Sequence, residues 1–357
     1  MFYLNLIMRY QIQITKFIDL VNLYNEDNLN LNPPYQRNSI WTIANQRLLI
    51  DTIKSGLPLP TFFIQPKNGK FEMVDGQQRT RALLSYMSED GFIDANGVRY
   101  NKGEFDDYLI GVVSLNEDFT EEEVREFYVR VNRAGARLER PELNKAAYFK
   151  TRFLAVTTEI SEMVEFRELK VVKSAQVRRM FDRDFIEEIS ALILYGPQDK
   201  KTTVDQMYKE DISEEKAGII KNTFKDILEK MAIFNAEIPL SDTRFVQKND
   251  FYTFFNLMMK IDNLTDPELV EMYKVLVLIS KGISPSNKTC EPLKEYAENC
   301  VTQSNSKKAR NRRVEILIDI LLNETPEINQ TQKDLVNFYG LPNELVKIGK
   351  YYTLNIN

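Results

Sequence analysis

Histidine is absent from all 357 residues, and this absence closes more function classes than any other feature of the composition. An imidazole is the base or ligand in the HNH nuclease, in every histidine-containing zinc site, in the Ser-His-Asp triad and in the Cys-His dyad, so this sequence encodes none of them. Catalysis by this chain would have to run on carboxylates, Arg, Lys, Tyr, hydroxyls, bound metal or the backbone. Cysteine is nearly as scarce. Cys290 and Cys300 are the only two, too few for a disulfide framework in a chain this long, and two reduced thiols are expected. Long apolar runs are missing as well: those at 191–195 and 275–279 are far too short to cross a bilayer. The first ten residues lack the basic region and cleavage site of a secretory signal, so a cytoplasmic location with no membrane partner is expected. Neither an internal repeat nor a low-complexity linker is present.

What is present describes a globular chain. A hydrophobic fraction of 43% is enough for real cores, and 28% charged residues keep the exterior in water. The length exceeds what one core usually supports, which favours two domains. A formal net charge of −5 argues against a surface that is basic throughout, while leaving room for a local basic groove.

Along the chain, residues 10–17 alternate like a strand and 18–24 change to helical spacing. A loop over 28–36 contains Pro33-Pro34. Residues 43–55 have a helical apolar stripe that stops at Gly56. Strand-like runs at 61–65 and 71–74 flank an Asn68-Gly69 turn and predict a hairpin. Asp75-Gly76 breaks the second run, and 77–87 returns to helical spacing. After a polar excursion over 88–107 come a strand at 108–115, a helix from the Thr120/Glu123 capping box through Asn132, and another helix starting at Pro141. Beyond about residue 150 the pattern is almost wholly helical, over 152–166, 177–194, 214–235, 248–261, 267–278, 291–300 and 307–322. The expected fold class is α+β: a mixed domain over 1–149, then a helical bundle over 150–357.

Three segments have residues suited to chemistry. In the first, a strand feeds Asp75-Gly76-Gln77-Gln78-Arg79 and a helix N-terminus. Gly76 permits backbone geometry that other residues resist, and the free N–H groups of the first turn suit a phosphate. Arg79 and Arg81 could add charge-assisted contacts. Asp75 would either cap the helix or carry Mg²⁺ for a nucleotide. In the second, Arg130, Asn132, Arg133 and Arg137 gather at a helix end and turn. As structure they complement the helix dipole; as function they form the second wall of an anion pocket. The third, Pro34-Tyr35-Gln36-Arg37 with Trp41, sets an arginine and an amide beside aromatics able to stack on a base, although Trp41 by itself reads as a core residue.

Together these segments resemble the N-terminal domain family of GmrSD-type restriction enzymes, a family similar to the ParB/sulfiredoxin fold. The matching pieces are Tyr35-Gln36-Arg37 with Trp41, then residues 50–60, then 74–83 with Asp-Gly-Gln-Gln-Arg, then 127–143 with Arg-x-Asn-x-x-Gly-x-x-Leu, in the family's order over roughly the first 150 residues. The resemblance implies a nucleotide-handling domain that serves bacterial defence by restricting foreign or modified DNA, with hydrolysis of an NTP, often GTP, assigned to the Asp-Gly-Gln-Gln-Arg segment. It implies Asp75, Gln77, Gln78 and Arg79 as the catalytic group. Gln36, Arg37, Gly76, Arg81, Arg130 and Asn132 would bind the nucleotide, and Asp75 would be the Mg²⁺ ligand. Gln77 or Gln78 would position water.

Many relatives append an HNH nuclease, which a chain without histidine cannot contain, so a separately encoded effector nuclease or other defence protein is an expected partner. The acidic pairs Asp106-Asp107, Glu187-Glu188 and Asp182 with Asp184 are expected to be solvated faces rather than metal ligands. Arg178-Arg179 and the run Lys307-Lys308-Ala309-Arg310-Asn311-Arg312-Arg313 are the strongest basic clusters in the helical half, and the run could follow a DNA phosphate backbone. Two rival functions stay open beside an NTP-driven regulator: a DNA-binding module that hydrolyses nothing, and a ParB-like nuclease using metal and carboxylates.

Overall fold

A computed structural model describes residues 10–36, 41–133, 139–199 and 201–356, with backbone alone at Asn132 and Arg133. The chain divides into two compact units, Met1–Phe149 and Lys150–Asn357.

The first unit is built on a five-stranded mixed sheet. The alternating segment forms β1 (Tyr10–Lys16), which runs into α1 (Phe17–Asn25) and the short β2 (Leu29–Asn30). Thr42 caps α2 (Ile43–Lys54), accepting from the Asn45 N–H while the Asn45 side chain accepts from the Thr42 N–H. β3 (Phe62–Lys67) and β4 (Lys70–Asp75) pair antiparallel. Their turn places Asn68 and Gly69 at φ 53° and 76°, the positive angles a two-residue hairpin loop requires. α3 (Gln77–Met87), β5 (Leu109–Leu115), α4 (Glu121–Arg133) and α5 (Arg140–Tyr148) complete the unit. Thr120 and Glu123 form the expected capping box at the start of α4.

The strand order is β1-β5-β3-β4-β2, with β3/β5 and β2/β4 parallel. Successive side chains point to opposite faces of the sheet. Thus Ile110 and Val112 of β5 join the core beneath α1, α2 and α3, whereas Val113 and Leu115 join a second core with Val124 and Tyr128 of α4 and Ala146 of α5. The sheet is a middle layer between two helical ones.

The second unit contains α6 (Arg152–Glu162), α7 (Val164–Glu168), α8 (Ser174–Val177), α9 (Phe181–Tyr195), α10 (Thr202–Glu210), α11 (Glu214–Glu237), α12 (Lys248–Met258), α13 (Asp266–Ser280), α14 (Glu291–Val301), α15 (Lys307–Leu321) and α16 (Gln330–Tyr339). The helix expected over 152–166 is divided at Met163, whose backbone is extended. That expected from 177 starts later because Met180 has a left-handed backbone. α10 and α16 do not correspond to any helical run read from the sequence. Neither does the hairpin of β6 (Leu345–Ile348) and β7 (Tyr351–Leu354), whose four-residue strands are too short to display a period. Both cysteines are free.

Two expectations about charge in this unit are overturned. The acidic pairs on α9 are not solvated: Asp182, Asp184 and Glu187 are buried. Glu187 accepts from Arg183 Nε at 3.2 Å and from the Tyr208 hydroxyl. Asp184 pairs with Lys201, and Glu188 pairs with Lys201 and with Arg310 at 2.7 Å. Asp106 and Asp107 are exposed, as expected.

The basic run on α15 is likewise partly internal: Arg310 and Arg313 are buried, while Lys307 and Lys308 are exposed. Arg310 and Arg313 lie on the same stripe as Val314, Leu317, Ile320 and Leu321, the i, i+3, i+4, i+7 spacing of a buried face. The Arg310 guanidinium also stacks 4.1 Å from the Tyr252 ring centroid. Arg313 is fully buried, donating to Thr253 Oγ1 at 2.9 Å and to the carbonyls of Asn299 and Ser304 at 2.6 and 2.9 Å. Arg312 is held by both carboxylate oxygens of Glu295. These three arginines are committed to the protein and are not a phosphate track.

Removing the Arg313 guanidinium would strip the half-buried Asn299 and Ser304 carbonyls of its donors and take from buried Thr253 Oγ1 the hydrogen bond it accepts, leaving the one it donates to the Asn249 carbonyl. Arg313→Met should therefore cost about 3 kcal/mol in urea unfolding of the chain, whereas exposed Lys308→Ala should stay within about 0.5 kcal/mol of the parent. Equal small effects would contradict an internal role for Arg313.

Candidate functional site

The link from β4 to α3 is where the sequence departs from regular structure, and two features set its shape. The first is a shift in the β3/β4 register: Phe63 faces Asp75 while Ile64 faces Met73, which leaves Val74 as an extra residue on β4. A bulge of this kind re-aims the next side chain, here Asp75. The second is Gly76, the residue preceding α3, whose φ is 112°. A Cβ there would lie 2.5 Å from the Phe62 ring, so the turn needs glycine for its backbone angle and for space.

Side chains around the bulge lock it. Gln36 is buried and its Nε2 donates to the carbonyls of Met73 and Val74 at 2.7 and 3.1 Å. Gln77, also buried, donates to the Met73 carbonyl at 2.9 Å. Arg79 lies on the inner side of α3, its guanidinium 4.5 Å from the Phe62 ring centroid. It donates to the Pro60 carbonyl, to the Thr61 carbonyl at 3.1 Å and to Asp75 Oδ2 at 2.8 Å. Burial lowers its pKa, and the Asp75 carboxylate opposes that shift. The residue at the cap position of α3, Gly76, has no side chain with which to cap it. Asp75 is therefore not the helix cap weighed from its position, because its carboxylate is held by Arg79 instead.

The outer side of this turn opens onto a cavity of about 540 Å³, within the range of small-molecule sites. Asp75, Gly76, Gln77, Gln78 and Arg79 line one wall. Trp41, Asn45, Leu48, Leu49 and Thr52 line another, and Leu59, Pro60, Tyr128 and Val131 complete it. The Trp41 N–H approaches Gln78 Oε1 at 3.4 Å, joining the two walls. Tyr128 is braced from behind by Tyr35, their rings 5.6 Å apart edge to face. Asp75 and Arg79, paired with each other, are the charged members of the described lining.

Of the residues singled out in the sequence, the structure thus brings Asp75 through Arg79 and Trp41 to one cavity. Gln36 lies behind the turn rather than on the cavity wall. Arg81 turns away, donating to the Leu31 carbonyl at 2.7 Å and to Asn32 Oδ1 at 2.6 Å, and burial lowers its pKa. Arg130 is exposed and paired with Glu126 at 2.7 Å. Neither Arg81 nor Arg130 belongs to the described lining. Arg37 and Arg137, and the side chains of Asn132 and Arg133, lie outside the described residues. The α2 wall was missed, although Trp41, Asn45, Leu48 and Thr52 recur at helical spacing and could have been read as one stripe.

Among the described residues no group of three or more Cys, Asp or Glu side chains could hold a metal ion. Asp75 is the carboxylate of the described lining that could hold a cation.

The fold and cavity define a mixed α/β domain with a cleft at a strand-to-helix turn. Residues 18–149 match the family model described as GmrSD restriction endonuclease, N-terminal domain, so the chain carries a domain of this family that includes the whole of the described cavity lining. Neither the curated proteins nor the solved structures yielded a match.

The Gly76 geometry yields a direct test. Gly76→Ala should destabilise the domain by about 2 kcal/mol in urea or thermal unfolding, because both the positive φ and the Phe62 ring resist a methyl group. An unfolding midpoint equal to that of the parent would show that the turn tolerates a side chain.

Proposed function

We propose that the N-terminal unit binds a nucleoside triphosphate in the cavity beside Asp75-Gly76-Gln77-Gln78-Arg79, with GTP the first nucleotide to try, and that this binding serves restriction of foreign or modified DNA. The observation that carries the reading is the convergence of this turn, the N-terminus of α3 and an aromatic-aliphatic wall on one nucleotide-sized cavity. The family match supports the restriction role.

In this reading the base rests against Trp41 and Leu48, and the phosphates approach the N–H groups at the start of α3, where the helix dipole favours negative charge. Asp75, held in place by Arg79, would be the protein ligand of Mg²⁺, which would offset phosphate charge. Arg79 acts through Asp75 and through the Pro60 and Thr61 carbonyls rather than on phosphate. Between the two glutamines, Gln77 is buried with its amide turned to the Met73 carbonyl, whereas Gln78 is half-buried on the cavity wall, where its Oε1 accepts from the Trp41 N–H. Gln78 is therefore the better candidate to orient an attacking water.

The effector would be a partner protein or a segment beyond these residues, because no HNH motif can exist without histidine. The rival reading, a DNA-binding module in which the same cluster of arginines grips duplex phosphates, loses support from the commitment of Arg79 and Arg81 to acceptors within the domain, and DNA contact along α15 loses support from the burial of Arg310 and Arg313.

The charge balance of the lining makes the test specific. Since the described Asp75 and Arg79 charges cancel, nucleotide affinity should depend strongly on Mg²⁺. Titration calorimetry with GTP, CTP and ATP should detect one nucleotide in Mg²⁺ and lose it in EDTA, and Asp75→Asn should weaken the Mg²⁺-dependent part. Gln78→Ala should retain binding and lower turnover roughly tenfold or more. A folded protein that binds none of the three would overturn the reading.

A further inference from the structure

β1 is an edge strand whose free side is unusually apolar. Among the described residues it ends the order β1-β5-β3-β4-β2 and pairs with β5 alone, in unbroken antiparallel register from Tyr10↔Leu115 to Lys16↔Leu109. Tyr10, Ile12 and Ile14 are 52%, 69% and 75% exposed. They share the sheet face of Val113 and Leu115, so this stripe continues the face that α4 and α5 cover elsewhere.

The hydrogen-bond parity can be worked out. Phe17 N–H donates to the Tyr108 carbonyl at 2.8 Å, which continues the β1/β5 register by one residue. Antiparallel pairs alternate between hydrogen-bonded and non-hydrogen-bonded, so Thr15, Gln13 and Gln11 bond to β5. The main-chain groups of Tyr10, Ile12 and Ile14 therefore point away from the sheet. Edge strands are ordinarily protected by proline, bulges or inward charges. β1 has no proline and no register shift, and its only charge, Lys16, is at its end and tied to Asp107 at 2.7 Å.

We propose that β1 is a docking edge for a second copy of this chain, the two strands pairing antiparallel about Gln13 so that two five-stranded sheets become one. The occupant is read from the strand itself. A twofold interface requires a self-complementary surface, and Tyr10–Lys16 is matched in polarity about its centre. Ile12 meets Ile14 of the second copy, Gln11 meets Thr15, and the Tyr10 ring meets the Lys16 stem. The outward main-chain groups of Ile12 and Ile14 then exchange hydrogen bonds, and Gln13 faces its own counterpart in a non-hydrogen-bonded pair. One strand from each copy is less than a standard interface, so the dimer dissociates in the micromolar range.

The register is tested by crosslinking. Non-hydrogen-bonded antiparallel partners have Cα atoms about 4.5 Å apart, within disulfide reach. Under mild oxidation Gln13→Cys should give a covalent dimer of the full-length protein. Thr15→Cys, whose partner would be Gln11, should give at least tenfold less. Sedimentation of the unmodified protein should show a concentration-dependent dimer that Ile14→Lys abolishes, with unchanged circular dichroism. A monomer throughout the micromolar range, a dimer indifferent to Ile14→Lys, or equal crosslinking at positions 13 and 15 would overturn the proposal.

Discussion

The Arg79 guanidinium fastens three pieces of the N-terminal unit to one another. Its donors reach the Pro60 and Thr61 carbonyls just before β3, the Asp75 carboxylate at the end of β4, and its own chain starts α3. Carbonyls interrupted by Pro58 and Pro60 lie where the chain cannot form a regular ladder, so they need donors from elsewhere. A planar group with five N–H donors can serve several acceptors at once. Stacking on Phe62 gives its face an apolar partner. The floor of the cavity, the direction of Asp75 and the start of α3 all depend on this one cation.

The same economy of buried charge recurs in the second unit. Arg313 ties α15 to α12 and to the carbonyls of Asn299 and Ser304, while Arg310, Lys201, Asp184 and Glu188 form a linked network. A buried ion is tolerated when its donors or acceptors are met in good geometry. Arg79 and Arg81 in the first unit and Arg310 and Arg313 in the second turn inward, whereas Arg130 and Arg178 stay exposed. The charge visible in composition is spent partly inside, leaving the cavity lining almost neutral among its described residues.

Legibility of the site follows from these facts. Asp75-Gly76-Gln77-Gln78-Arg79 could be found in the sequence because a strand, a glycine and a helix start leave local signs. The roles within it could not, because Gln77 and Gln78 are adjacent and identical in chemistry. The Gln77 amide turns to the Met73 carbonyl and the Gln78 amide oxygen to the Trp41 N–H because the helix turns by about 100° between them. Arg79 and Arg81 likewise differ by their side of α3. The bulge at Val74 depends on pairing with β3, a contact between strands that no local pattern encodes.

The sequence by itself determined where the chain alternates, where it turns and where it winds. Hydrophobic period, the Asn68-Gly69 turn, the Thr120/Glu123 box and the Gly76 break are short-range properties of adjacent residues. Composition also determined that no imidazole chemistry occurs within these residues. Tertiary structure alone decided which charges face inward, which glutamine amide turns to the Met73 carbonyl, that α2 supplies a wall, and that β1 lies at the sheet's edge with its isoleucines exposed. Those outcomes arise from which elements meet. A side chain's partner is then set by distance in space, and sequence separation says nothing about it.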